Sequence, residues 1–120
     1  MINENKISKI EKKFNDLLNT NDKILIISKN DCPNCKKLKE IFDTLDINYN
    51  TYLYEETKKE IDSNFEFKTY LKELTKSKMF PFCFVDKKYI GSYKEVQNYF
   101  CTGKLKEILN KIGIDYEEDF

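Results

Sequence analysis

A cysteine pair that directly follows a short apolar run constrains this chain more than any other feature. Lys23 to Ser28 reads KILIIS, and four residues later come Cys32, Pro33, Asn34 and Cys35. A run so short and β-branched fits a strand buried on both faces, so a sheet with two covered sides is expected. Pro33 fits the first turn of a helix, and Leu38, Ile41, Phe42 and Leu45 supply that helix with a buried stripe. Two cysteines one turn apart can close a disulfide. The first sits where unpaired backbone N–H groups and the helix dipole favour an anion. Thiols so placed ionise below the ~8.5 of a free cysteine. Cys32 is therefore the expected nucleophile, and Cys35, a turn further in, the resolving thiol. Lys29 adds positive charge nearby and Asp31 opposes it.

The flanking patterns extend this strand–helix unit. Ile7, Ile10, Phe14 and Leu17 recur at helical spacing and predict a helix over 4–19. Ile47 to Tyr54 predicts a second strand, parallel to the first because a helix separates them. Ser63 with Glu66 matches a capping box, and Phe67, Tyr70, Leu71 and Leu74 then predict a helix over 64–76. Pro81 to Val85, a turn at Asp86 and Lys87, and Lys88 to Ile90 predict a hairpin. Ser92 with Glu95 offers another capping box before a helix that Gly103 can end. Leu105, Ile108, Leu109 and Ile112 mark a last helix stopped at Gly113. Residues 115–120 are acidic and expected to fray. The expected architecture is α/β: a four-stranded mixed sheet flanked by helices, with an extra N-terminal helix. One domain is expected over 1–120, with a helical extension at 1–21, a core at 22–113 and an acidic tail at 114–120.

Composition removes several classes of function. The 120 residues include 21 basic and 21 acidic side chains, so no global field draws the chain to nucleic acid or to an anionic membrane. There is no histidine, which excludes Ser/His and Cys/His catalysis and leaves thiol chemistry standing. Met1 to Thr20 carries Lys and Glu throughout, with no signal-peptide core, and no stretch reads as a membrane span, so a reducing, cytoplasmic setting is expected. There a close cysteine pair reads as redox or metal chemistry. Zinc held by Cys32, Cys35, Cys83 and Cys101 is the metal alternative, weakened because the second pair lacks knuckle spacing. Cys83 in an apolar strand fits a small hydrophobe, and Cys101 a passive helix residue.

With these residues in place the chain resembles a dithiol glutaredoxin of the CPxC type, on a thioredoxin-like fold, over residues 23–113. Four segments in the right order carry the resemblance. They are Ser28, Lys29 and CPNC; Tyr70 to Thr75 leading to Lys78, Met79, Phe80 and Pro81; the hairpin ending Tyr89, Ile90, Gly91; and the helix from Leu105 to Gly113. Three departures stand out. Asn34 replaces a common Tyr, Ser92 the second Gly of a Gly-Gly, and Met79 and Phe80 a Thr-Val.

The resemblance implies a cis peptide bond before Pro81 and leaves the backbone of Phe80 to pair with an extended peptide, glutathione. Its glycine carboxylate would meet Lys29, Lys68 and Lys78, with Asn34 alongside. Its γ-glutamyl carboxylate would meet the N–H groups of Tyr93, Lys94 and Glu95 after Gly91 and Ser92, and Glu95 would hold the amino group. The implied activity is glutathione-dependent reduction of protein disulfides and glutathione mixed disulfides by a monomer. Glutathione is then a co-substrate, with no tightly bound cofactor and no resident metal. Two rivals remain. One is a thioredoxin-like reductase fed by a flavoprotein; the other is a carrier in which Cys32 and glutathione ligate a [2Fe–2S] cluster between protomers.

Overall fold

The computed structural model describes residues 4–117. Ten elements follow one another: α1 (Glu4–Leu18), β1 (Ile24–Ser28), α2 (Pro33–Thr44), β2 (Asn50–Leu53), α3 (Glu56–Ile61), α4 (Phe65–Thr75), β3 (Phe82–Val85), β4 (Lys88–Gly91), α5 (Tyr93–Thr102) and α6 (Lys104–Asn110). The sheet runs β2-β1-β3-β4, parallel between β1 and β2 and antiparallel elsewhere. This is a thioredoxin-like fold with a mixed four-stranded sheet. Strand β1 is central and buried along its whole length, as its composition requires.

Alternation along the strands sends side chains into two layers. Ile24, Ile26, Cys83 and Val85 face Leu38 and Phe42 of α2, Val96 of α5 and Leu105 and Leu109 of α6. Leu25, Ile27, Phe82 and Phe84 face Ile10 and Phe14 of α1 and Phe67 and Leu71 of α4. Phe14 meets the rings of Tyr70 and Phe84 edge-on, at 5.6 and 5.2 Å. The N-terminal helix thus covers much of one sheet face.

Several details differ from expectation. Helix α3 was not foreseen, because ETKKEI holds a single apolar residue and shows no period. The second strand shrinks to Asn50–Leu53, since Asp46 at φ 56° turns the chain and Ile47 is buried ahead of the ladder. The capping box at Ser63 does not form: Asn64 is the N-cap, and the Ser63 hydroxyl donates to the Glu66 carboxylate instead, at 3.2 Å. Residues 1–3 of the N-terminal extension and 118–120 of the acidic tail lie outside the described residues. Ahead of the latter, Tyr116 does not fray; it is buried in the α6 layer, with the Lys106 ammonium 5.5 Å from its ring.

Candidate active site

The end of β1 delivers the chain into a three-residue loop, Lys29 to Asp31, and α2 opens immediately after it. Asp31 takes a left-handed backbone, φ 53°, just before the N-cap of α2. The Glu55 carboxylate pins the loop from across the sheet end, accepting the Asn30 N–H at 3.1 and 3.2 Å. Cys32 is the N-cap of α2, Pro33 follows inside its first turn, and the Cys32 sulfur accepts the Cys35 N–H at 3.1 Å. This is the geometry in which an orphan helix donor stabilises a thiolate. Cys32 and Cys35 are joined as a disulfide with their Cα atoms 5.2 Å apart.

The two sulfurs are unequal. Cys32 is partly exposed, whereas Cys35 is 3% exposed and lies in the buried cluster that holds Phe67, Phe80 and Phe82. An incoming disulfide therefore reaches Cys32 first.

The loop before β3 closes the site from the opposite side. Thr75 and Ser77 hold it through their own hydroxyls: Thr75 Oγ1 donates to the Ser77 carbonyl, and Ser77 Oγ accepts the Met79 N–H, both at 3.2 Å. The Phe80–Pro81 peptide is cis. Among the described residues, neither the N–H nor the C=O of Phe80 enters a backbone hydrogen bond. Its ring is buried against Tyr54 and Phe82, with centroids 5.2 and 5.0 Å away. The Lys29 and Lys68 ammonium groups lie 5.6 and 6.0 Å from that ring, although the two residues belong to distant parts of the chain. Lys78 and Asn34 are exposed, the first two residues before Phe80, the second in the first turn of α2.

Gly91 pairs with Cys83, two residues after Pro81, which brings the start of α5 to the same sheet end. Ser92 and Glu95 form the capping box, the Ser92 N–H donating to one oxygen of the Glu95 carboxylate at 2.7 Å. Tyr93 is half-buried under the Lys37 ammonium, and Lys94 is exposed.

The four cysteines do not converge. Cys83 is fully buried in the opposite layer from Cys35, where burial pushes its thiol far above the ordinary range, and Cys101 is exposed on α5. A four-thiolate zinc site is therefore not built. Sequence reasoning also passed over Glu55 and the contact between the Lys39 ammonium and the buried Ser28 hydroxyl, at 3.3 Å. Glu55 lies 25 residues from its partner, beyond the reach of any local pattern.

A family model described as glutaredoxin matches residues 24–90. Glutaredoxin-C8 of rice (Oryza sativa subsp. japonica) is 29% identical over 96 residues, covering 80% of this chain and 67% of that protein. The structure of a buckwheat glutaredoxin–glutathione complex superimposes with a TM-score of 0.79 at 24% identity, covering 95% of this chain and 99% of that one. The holo form of glutaredoxin C1 from Populus tremula x tremuloides gives 0.77 at 18% identity, over 94% and 98% of the two chains. The accessible Cys32, its buried partner Cys35 and the match across β1 to β4 agree: this chain belongs to the glutaredoxin family and is a thiol–disulfide oxidoreductase.

Proposed function

We propose that the chain is a glutathione-dependent reductase of glutathione mixed disulfides and protein disulfides. The observation that carries this is the asymmetric pair: an accessible N-cap sulfur, Cys32, backed by a buried one, Cys35. In the first reaction the Cys32 thiolate attacks the glutathione sulfur of a mixed disulfide, and the client thiolate leaves and takes up a proton. A second glutathione thiolate then attacks the bound glutathione sulfur, releasing glutathione disulfide and the Cys32 thiolate. With a protein disulfide, the Cys32 thiolate attacks one client sulfur to form a mixed disulfide, and the other client sulfur leaves as a thiolate and takes up a proton. The Cys35 thiolate displaces the bonded client sulfur and leaves the internal disulfide, which two glutathiones reduce again.

Glutathione would lie extended along the backbone of Phe80 beside Pro81, its glycine carboxylate toward Lys29, Lys68 and Lys78, with Asn34 flanking. The convergence of Lys29 and Lys68 on Phe80 supports this seat. The γ-glutamyl carboxylate would accept from the N–H groups of Tyr93 and Lys94 beyond Gly91 and Ser92, at the positive end of α5, with the Glu95 N–H, which the Ser92 hydroxyl already caps, as a shared third donor. The second oxygen of Glu95 would take the glutamyl ammonium. The buckwheat relative was solved with glutathione, which supports the same co-substrate here. Recycling by glutathione fits a monomer in the cytoplasm, and clients are proteins with accessible disulfides or glutathionylated cysteines.

The test compares reduction of a small glutathione mixed disulfide with reduction of insulin. Fast turnover of the first and slow turnover of the second is expected, and the reverse order would assign the chain to thioredoxin-like reductases. Cys32→Ser should abolish deglutathionylation, whereas Cys35→Ser should retain it. Activity in both variants would overturn the two roles.

A further inference from the structure

The disulfide opens on a second side that Lys68, Phe80, Pro81 and residues 91–95 do not line. There lies an open groove of about 840 Å³, bounded by the first turns of α2 and the ends of β1 and β2, with Ser28, Leu53, Cys32 and Cys35 in its wall. Cys32, Lys36 and Lys39 stand at i, i+4 and i+7, a single stripe along α2, and all three line it. The Lys39 ammonium is held against the hydroxyl of Ser28, which is 2% exposed, so its charge is fixed at the groove wall.

Lys29 and Lys37 complete the basic set, and Asp31 and Glu40 are its acidic members, so four ammonium groups face two carboxylates. Lys29 and Lys37 are already placed over the rings of Phe80 and Tyr93. Among the described residues neither Lys36 nor Lys39 belongs to a salt bridge. The whole chain carries no net charge, so any preference for charged partners must come from such a local excess.

We propose that this groove docks an acidic peptide segment flanking the disulfide of a client protein, beside the glutathione seat, with which it shares only Lys29 besides the cysteine pair. The proposal rests on the disulfide-reductase reading above and names the client class that reading leaves open. Lys39 stands about 10 Å along α2 from Cys32, at 1.5 Å per residue. An extended client strand advances ~3.3 Å per residue, so side chains within about three residues of the bonded cysteine reach both ammonium groups. A tripeptide seated along Phe80 has no residue left to do so.

The test is single-turnover reduction by the dithiol enzyme of two synthetic peptides with the same internal disulfide, one flanked by Glu and one by Lys. At about 10 mM salt the acidic peptide should react on the order of ten-fold faster. At about 0.5 M salt, where the screening length falls to a few Å, the two rates should come within about two-fold. Lys36→Glu combined with Lys39→Gln should erase the preference while turnover of a small glutathione mixed disulfide stays within two-fold of wild type. Lys68→Glu should do the opposite, slowing the glutathione substrate and keeping the peptide preference.

Equal peptide rates in the wild type overturn the proposal, as does a preference that survives in the double variant or disappears in Lys68→Glu. Loss of both activities in the double variant also overturns it, because those lysines would then serve the disulfide chemistry itself. Because the enzyme is reduced chemically beforehand, the peptide preference is read even if glutathione proves to be no substrate. That second result would remove the glutathione seat and leave the groove standing.

Discussion

At the residue scale the site depends on where backbone donors point. The Cys35 N–H aimed at the Cys32 sulfur favours the thiolate, so iodoacetamide alkylation of reduced Cys32 should have its pH midpoint at least about one unit below the ~8.5 of a free thiol. A midpoint near 8.5 would show that the cap does not activate the sulfur. Gly91 meets a different demand: its φ is +133°, and a Cβ there would stand 2.5 Å from the Glu95 Cβ, inside the capping box. Gly91→Ala should therefore cost on the order of 2–3 kcal/mol in denaturant unfolding, from backbone strain and a displaced cap. A loss below about 0.5 kcal/mol would mean that α5 shifts freely. Cys32, Cys35 and Pro81 were legible because their chemistry is written in adjacent residues. The hairpin turn at Asp86 and Lys87 was legible too, whereas the left-handed backbone of Asp31, Asp46 and Asp62 was not, since those positive φ values fall on residues without the Gly or Asn that usually announces such a turn.

At the scale of elements, polar contacts tie α1 to α3, the helix without apolar periodicity, and to the sheet edge. Lys13 of α1 pairs with Glu60 of α3 at 2.5 Å, and the Tyr52 hydroxyl of β2 donates to the same carboxylate at 2.7 Å. The Lys13 ammonium, and then the Tyr52 hydroxyl, hold the Glu60 carboxyl below its ordinary value. Burial, and then the bond to Glu60, push the Tyr52 phenol up. Ionised Glu60 therefore stabilises the fold at pH values above the unfolded ~4.3, and that contribution fades as pH falls through the lower folded value. The Glu60 side chain is 41% exposed, so solvent screening keeps the gain under about 1 kcal/mol. Glu60→Gln should lower stability by about 0.5 kcal/mol at neutral pH and by nothing near pH 2, read from unfolding curves across that range. A difference that stayed constant with pH would assign the loss to packing. Apolar stripes made α1, α2 and α4 readable, whereas α3 depends on the Thr57 hydroxyl, which bridges the Tyr54 carbonyl and the Asn64 side chain at 2.7 Å each.

For the whole molecule, the segment that carries the family signature is smaller than the segment that folds. The matched residues 24–90 hold the sheet up to Ile90, α2 and the Cys32–Cys35 pair. On one face of that sheet Phe67 and Leu71 of α4 are joined by Ile10 and Phe14 of α1, and on the other Leu38 and Phe42 of α2 are joined by Val96, Leu105, Leu109 and Tyr116, so each cover is completed from outside the match. A domain's net stability is only ~5–15 kcal/mol, and truncating one buried Phe costs ~3–5 kcal/mol, so neither cover is dispensable. Phe14→Ala should accordingly lower stability by about 3 kcal/mol, because its ring contacts to Tyr70 and Phe84 have no replacement. Removing residues 1–18 altogether should leave Leu25, Ile27 and Phe84 partly open to water and abolish a sharp thermal transition, although every residue of the thiol site remains in the chain. Near-ultraviolet circular dichroism of the truncated and intact proteins decides this. A truncated chain that kept the intact signal and melted within a few degrees of it would make α1 an appendage to a self-sufficient core.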